Sequence, residues 1–193
     1  MQSQTYATQF RPDVKRDAFI YDAMLIIGAS IFIALSAQLA FNVPFSPVPI
    51  TGQTFAVILT GALLGSRRGG LAIIAYLIEG ISGLPVFAQA QFGIIHLFGP
   101  TGGYLLGFIP AAFLCGLLVE TGLGKIFMST LVIMMSGTIV IFICGLIWLK
   151  LLMGNDDVLL IGFYPYITGA VVKIILSAIV YRLIWQVLAK SKY

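Results

Sequence analysis

Four polar residues stand where polar residues are costly, and their types suggest ligand binding. Lys173 interrupts an apolar stretch near the C-terminus. An ammonium there costs several kcal/mol unless it meets a partner or a wet cavity. The alternative is a lysine that snorkels to an interface, which its position inside the stretch makes difficult. Glu79 closes a shorter apolar run just before Gly80 and the Gly83-Leu84-Pro85 break. It suits an ion pair with Lys173, a contact with ligand, or an exposed carboxylate at the membrane interface. Gln53 follows Pro49-Ile50-Thr51-Gly52, where an amide can meet a neutral polar ligand or bridge two helices. Tyr104 lies in Gly99-Pro100-Thr101-Gly102-Gly103-Tyr104-Leu105-Leu106-Gly107. A helix opening on Gly-Gly leaves backbone N–H groups free, and the tyrosine adds a hydroxyl and a ring. Gly99, Gly103, Gly107 and Ala111 recur every four residues and form a smooth stripe for close helix packing.

Other chemistries find little material. His96 is the single histidine, and Cys115 and Cys144 sit inside apolar runs without metal-site spacing. No metal site and no cofactor are expected. No Gly-rich loop leads into Gly-Lys-Ser/Thr, so the chain has no visible means of using ATP itself. Gly80-Ile81-Ser82-Gly83 matches the Gly-x-Ser-Gly pattern of rhomboid intramembrane proteases, with His96 fourteen residues on. Rhomboids take their base from a later helix packed on the serine helix, so proteolysis at Ser82 is a remote alternative, and no catalytic residue is assigned.

The elements that position these residues follow from composition. Of 193 residues, 60% are hydrophobic and 9% charged, with a mean hydropathy of +1.04, whereas soluble domains carry about 25% charged residues. The expected fold is all-α and integral to the membrane, a single domain over 1–193. A bilayer core needs about 20 apolar residues per helix. Six runs emerge, at about 23–41, 51–65, 70–81, 103–119, 126–153 and 166–188. The second and third are short, which suits a re-entrant or tilted pair. Ala34-Leu35-Ser36-Ala37 loosely imitates a signal cleavage site, but the first run is expected to be retained as a span.

Nine of the eleven basic residues fall on one side of this arrangement: Arg11, Lys15, Arg16, Arg67, Arg68, Lys125, Arg182, Lys190 and Lys192. Lys150 alone falls on the other. The positive-inside bias places both termini in the cytoplasm of a prokaryotic cell membrane. The net charge of +4 thus reflects orientation, and without a basic helix face no nucleic-acid partner is expected. The outer links are nearly uncharged. Residues 41–50 carry Pro44, Pro47 and Pro49, a stiff apolar loop suited to act as a lid. Residues 83–102 carry Phe87, Gln89, Gln91, Phe92 and His96 and are too apolar for an ordinary solvated connection.

Three segments together resemble the BioY family, the biotin-binding S components of energy-coupling-factor (ECF) vitamin transporters. They are Pro47-Val48-Pro49-Ile50-Thr51-Gly52-Gln53, Gly80-Ile81-Ser82-Gly83-Leu84-Pro85-Val86-Phe87, and Gly99-Pro100-Thr101-Gly102-Gly103-Tyr104-Leu105-Leu106-Gly107-Phe108. The resemblance implies a six-helix, non-enzymatic subunit that takes biotin from outside under a lid after the first helix. An ATPase pair and a transmembrane coupling subunit would supply the energy. It implies Gln53, Glu79 and Tyr104 for the ureido group, Lys173 for the carboxylate or the ring carbonyl, and Phe45, Phe87 and Phe92 as lid or pocket-wall contacts. Where the family usually reads Pro-Gly-Asp-x-x-Lys, this chain reads Thr168-Gly169-Ala170-Val171-Val172-Lys173, which leaves Glu79 as the acidic partner. Ser30/Ala34 and Ser36/Ala40 stand where S components often pack an Ala-x-x-x-Ala stripe on the coupling subunit. The alternatives in transport are an S component for another small vitamin and a stand-alone secondary carrier.

Overall fold

A computed structural model of the protein describes residues 5–154 and 157–190; Lys192, counted above with the cytoplasmic charges, lies outside the described residues. The chain is mostly helical. A short helix α1 (Tyr6–Gln9) precedes α2 (Lys15–Gln38). A two-residue ladder follows, β1 (Ala40–Phe41) against β2 (Ile50–Thr51), antiparallel with Ala40 opposite Thr51 and Phe41 opposite Ile50. Then come α3 (Gln53–Leu64), α4 (Ser66–Ile81), α5 (Ile95–Phe98), α6 (Gly102–Glu120), α7 (Phe127–Met153), α8 (Val158–Gly162) and α9 (Ile167–Lys190). Among the described residues, four stretches are long and apolar enough to cross a membrane: Lys15–Gln38, Gly102–Glu120, Phe127–Met153 and Val158–Val187.

The burial pattern suits a lipid solvent. Large apolar side chains such as Met24, Ile31 and Leu35 on α2, and Val172, Ile175 and Leu176 on α9, are exposed. Small or polar ones such as Ser30, Ala37, Ser177 and Ala178 are buried. Bilayer tails accept the first group, while the second allows close helix approach. At the centre is α3, with nine of its twelve residues buried. It packs against α2, α4, α6 and α9.

Several boundaries differ from the apolar runs, each for a physical reason. α2 begins at Lys15 because the helix continues past its hydrophobic part into polar surroundings, where Asp22 accepts from Arg11 at 2.9 Å and Arg68 at 2.7 Å. It ends at Gln38 because Ala40–Phe41 pairs with β2. Helix α4 begins at Ser66, so Arg67 and Arg68 lie in its first turn rather than in a link. Only Gly65 separates it from α3, at φ +86, a left-handed conformation that suits glycine. The free N-terminus of α4 is capped from a distance. Glu120, at the end of α6, accepts from the Ser66 backbone N–H and hydroxyl, both at 2.8 Å. At 12 residues, α3 rises only about 18 Å, well short of a bilayer core.

Of the small residues Ser30, Ala34, Ser36 and Ala40, only the two serines turn fully inward; Ala34 is half-buried and Ala40 lies beyond the helix in β1. Ser30 and Ser36 are buried, because a hydroxyl in an apolar setting needs an acceptor. Ser30 donates to Glu79 at 2.7 Å and to the Ile27 carbonyl, and Ser36 donates to the Phe32 carbonyl. The outward face carries Met24, Gly28, Ile31 and Leu35.

Candidate functional site

Close helix packing and open chambers lie side by side in the bundle. Glycines bring α6 against α7: a Cβ at Gly103 would lie 2.1 Å from the Trp148 Cβ, and one at Gly145 would lie 2.3 Å from the Tyr104 ring. The stripe read from the sequence thus packs on α7 from Gly103 onward. Gly99 lies before the helix and accepts from the Trp148 indole at 2.9 Å.

Between α3, α6 and the two outer links, a cavity of about 520 Å³ opens. Val48 and Pro49 of the proline-rich loop close one side, and Phe87, Gln91 and His96 of the second link close another. Gln53, Thr54, Tyr104 and Phe108 complete the wall. Its lining is mainly apolar by area, with threonine, glutamine, histidine and tyrosine side chains set among the apolar ones. A second chamber of about 380 Å³ lies beside it, between α3, α7 and α9. Pro49, Thr51 and Thr54 belong to both linings, and the second adds Thr138, Tyr166, Ala170 and Lys173.

Polar atoms around the chambers are tied into short networks. Gln53, 5% exposed, donates to the Tyr76 hydroxyl at 2.5 Å and accepts from Thr51 at 3.1 Å. Tyr76 in turn donates to the Val86 carbonyl at 3.2 Å. Tyr104 donates to the Gly162 carbonyl at 2.8 Å, which ties α6 to α8. Lys173 donates to the Thr51 carbonyl at 2.7 Å and to the Thr54 hydroxyl at 3.0 Å. Its ammonium therefore sits at the β2–α3 junction, lining the second chamber and bonded to Thr51 and Thr54, which both chambers share.

The two outer links are fastened by side chains. Ser46 donates to the Ile161 carbonyl at 2.6 Å and shares a hydrogen bond of 2.6 Å with the Tyr166 hydroxyl. Tyr166 also donates to the Val48 carbonyl. The proline-rich loop is thus held to the segment that leads into α9. Gln38, at the end of α2, donates to the Phe87 carbonyl at 3.1 Å and accepts from the Ala90 N–H at 2.9 Å. That grip accompanies left-handed backbone at Gln89 (φ 60) and Ala90 (φ 56), which non-glycine residues rarely adopt.

Of the residues singled out in the sequence, Gln53, Tyr104 and Phe87 line the first chamber and Lys173 the second. Glu79 belongs to neither lining, and it accepts from Ser30 rather than meeting Lys173. Phe45 and Phe92 are 67% and 55% exposed and line neither chamber. Sequence reasoning passed over Thr51, Thr54 and Tyr166. A signal existed for the threonines, since hydroxyls flanking Gln53 at a helix start are natural acceptors and caps; Tyr166 depends on contacts with residues more than a hundred positions away and left none. His96, set aside as a lone histidine, lines the first chamber, its ring 6.0 Å from that of Phe87. Ser82 is exposed at the end of α4. Among the described residues no hydrogen bond joins it to His96. No group of three or more His, Cys, Asp or Glu among the described residues could hold a metal ion.

Comparison with known proteins places this geometry in a family. The model of the BioY family matches residues 6–190. A probable biotin transporter BioY from Pyrococcus horikoshii is 39% identical over 152 residues, covering 78% of this chain and 90% of the relative. The biotin transporter BioY of Thermotoga maritima is 35% identical over 164 residues, covering 84% and 90%. Among solved structures, the S-component for biotin from an ECF-type ABC transporter superposes with a TM-score of 0.80 at 25% identity, covering 90% of this chain and 95% of that one. The chain belongs to the BioY family.

Proposed function

We propose that this protein binds biotin and takes it up across the cytoplasmic membrane as the substrate-specific subunit of an ECF-type transporter. The observation that carries the reading is the pair of adjoining chambers, mainly apolar, with the amides of Gln53 and Gln91, the hydroxyls of Tyr104 and Tyr166 and the Lys173 ammonium on their walls. Biotin has matching chemistry: an apolar fused ring system with a ureido group at one end and a carboxylate at the end of a valerate chain. Gln53 and Tyr104 offer polar atoms to the ureido group, and Phe87 and Phe108 supply apolar wall. Glu79, engaged with Ser30, is left out of this assignment.

The same reading makes α2, α3, α4, α6, α7 and α9 six membrane-embedded helices with both termini cytoplasmic. Residues 42–49 act as the lid. Their hydrogen bonds to Tyr166 and Ile161 support a closed position over the chambers. A transmembrane coupling subunit and an ATPase pair complete the transporter, and the chain itself is a binding subunit with no catalytic step.

The test is saturable binding of labelled biotin to purified protein, with a panel of other small vitamins as competitors. Saturable binding displaced best by biotin is expected. Folded protein that shows no saturable binding, or a vitamin that competes better than biotin, overturns the reading.

A further inference from the structure

Polar side chains around the first chamber differ in how far their hydrogen bonds are committed inside the protein. Gln53 bonds to Tyr76 and Thr51, Thr54 accepts from Lys173, Tyr104 donates to the Gly162 carbonyl, and Thr101 donates to the His96 carbonyl at 3.3 Å. Gln91 and His96 are the exceptions. Among the described residues no hydrogen bond takes the side-chain amide of Gln91 or either ring nitrogen of His96. Gln91 is exposed, whereas His96 is half-buried. The His96 ring is held in place all the same. It meets Phe87 edge-on, with centroids 6.0 Å apart and planes at 67°, and Phe87 is fixed in turn by the Tyr76 ring and by the Gln38 amide on its carbonyl. The main chain of His96 is committed too, its N–H to the Gly93 carbonyl and its carbonyl to Thr101. A polar ring fixed in a chamber wall, its nitrogens without a protein partner, calls for an explanation.

The chemistry of the chamber selects the ligand group that would meet this ring. The lining holds no Asp, Glu, Lys or Arg. A carboxylate buried among uncharged groups is costly, whereas a neutral acceptor needs only a hydrogen bond. A neutral imidazole offers one N–H donor, and the ureido carbonyl is the strongest acceptor of an otherwise apolar ring system. We propose that the His96 imidazole donates a hydrogen bond to the ureido carbonyl of the ligand, and so sets specificity for that end of the molecule. The proposal rests on the biotin reading above and deepens it. Gln53 and Tyr104 frame the ring system with groups that are already tethered, and His96 supplies a donor that is free. A site built to hydrogen-bond one ligand atom rejects an analogue in which that atom bonds poorly.

The experiment is competition against labelled biotin on the purified full chain with three ligands: biotin, 2-thiobiotin, in which a weaker sulfur acceptor replaces the ureido oxygen, and biotin methyl ester, altered only at the other end. The native protein is expected to prefer biotin over 2-thiobiotin by about fivefold or more, the scale of one hydrogen bond. His96→Phe keeps a ring to pack on Phe87 and removes both nitrogens. It should weaken biotin binding by about fivefold and shrink the preference over 2-thiobiotin to about twofold or less. The ratio of biotin to its methyl ester should stay within about twofold of the native value, because sites that do not touch contribute independently. His96→Leu gives the same comparison where the phenylalanine variant does not fold. Equal binding of biotin and 2-thiobiotin by the native protein overturns the proposal without any variant. A folded His96 variant that keeps the native preference also overturns it, as does one in which the ester ratio changes instead, which would put the ring at the carboxylate end. In each of these cases biotin binding by the native protein persists and the functional reading stands. Native protein that binds no biotin overturns both.

Discussion

The chamber-bearing part of the bundle and the α3–α4 turn are held together differently, although the turn too has a side-chain tether in Glu120. Around the chambers, segments are joined by side chains that reach backbone carbonyls: Tyr166 to Val48, Lys173 to Thr51, Gln38 to Phe87, Tyr104 to Gly162. At the turn, backbones touch. A Cβ at Gly61 would lie 2.3 Å from the Ala112 carbonyl oxygen, and one at Gly116 would lie 2.2 Å from the Ser66 nitrogen. Hydrogen bonds from side chains can be exchanged for bonds to a ligand at little net cost. Contacts between backbones cannot yield without moving whole helices. The contrast suggests a rigid base beneath a region able to adjust around what it binds.

The strongest way to break this contrast is to remove the ammonium that lines the second chamber and ties α9 to the start of α3. Lys173→Ala should weaken biotin binding by about a hundredfold, the scale of losing one partner of a desolvated charge pair. Lys150→Ala, at the exposed end of α7, serves as the reference and should leave binding unchanged. Equal effects in equilibrium binding would remove Lys173 from the site.

The next largest effect belongs to the packed turn. Gly116→Val should cost about 1–3 kcal/mol through overpacking, seen as a lower thermal midpoint in detergent. The dissociation constant of the protein that remains folded should stay within about twofold, because the α4 N-terminus against which Gly116 packs lines neither chamber. A large loss of affinity with unchanged thermal stability would reverse the roles assigned to the two regions.

Much of the architecture is legible in the sequence because bilayer thickness and the cost of buried charge act on single segments. The long apolar stretches follow from that, as does the interest of Lys173. The short second run is equally visible, since α3 is flanked by Pro49 and Gly65. The true start of α4 is not, because its cap is Glu120, fifty-four residues away. For the same reason Glu79 suggests a ligand or Lys173, while its observed partner is a serine of α2. The aromatic residues of the outer links show the limit most plainly. Phe45, Phe87 and Phe92 are equivalent in sequence, yet the Gln38 grip turns only the Phe87 segment inward.

The lid fastening offers a subtler test. Tyr166→Phe removes the hydroxyl that joins Ser46 and the Val48 carbonyl while keeping the ring. One such hydrogen bond is worth about 1 kcal/mol, so biotin should dissociate about fivefold faster, as followed by chasing labelled biotin with unlabelled. The thermal midpoint should hardly move, because the turn region is untouched. Unchanged dissociation would mean that the loop stays closed without this fastening, held by its prolines and the β1–β2 ladder.

The smallest expected effect separates two phenylalanines of the outer links. Phe87 is 2% exposed, packs edge-on against Tyr76 with ring centroids 5.6 Å apart, and lines the first chamber. It also fills the space above Gly80, where a Cβ would come within 2.2 Å of its ring. Phe45 is 67% exposed at the tip of the proline-rich loop and lines neither chamber. Phe45→Ala should therefore change the biotin dissociation constant by less than about twofold, as surface truncations usually do. The result is informative in either direction, because exposure in this conformation says nothing of a loop that closes further once ligand arrives. A tenfold loss on Phe45→Ala would show that the tip of the loop moves inward on binding. The adjustable region would then include the lid itself, not only the side-chain tethers beneath it.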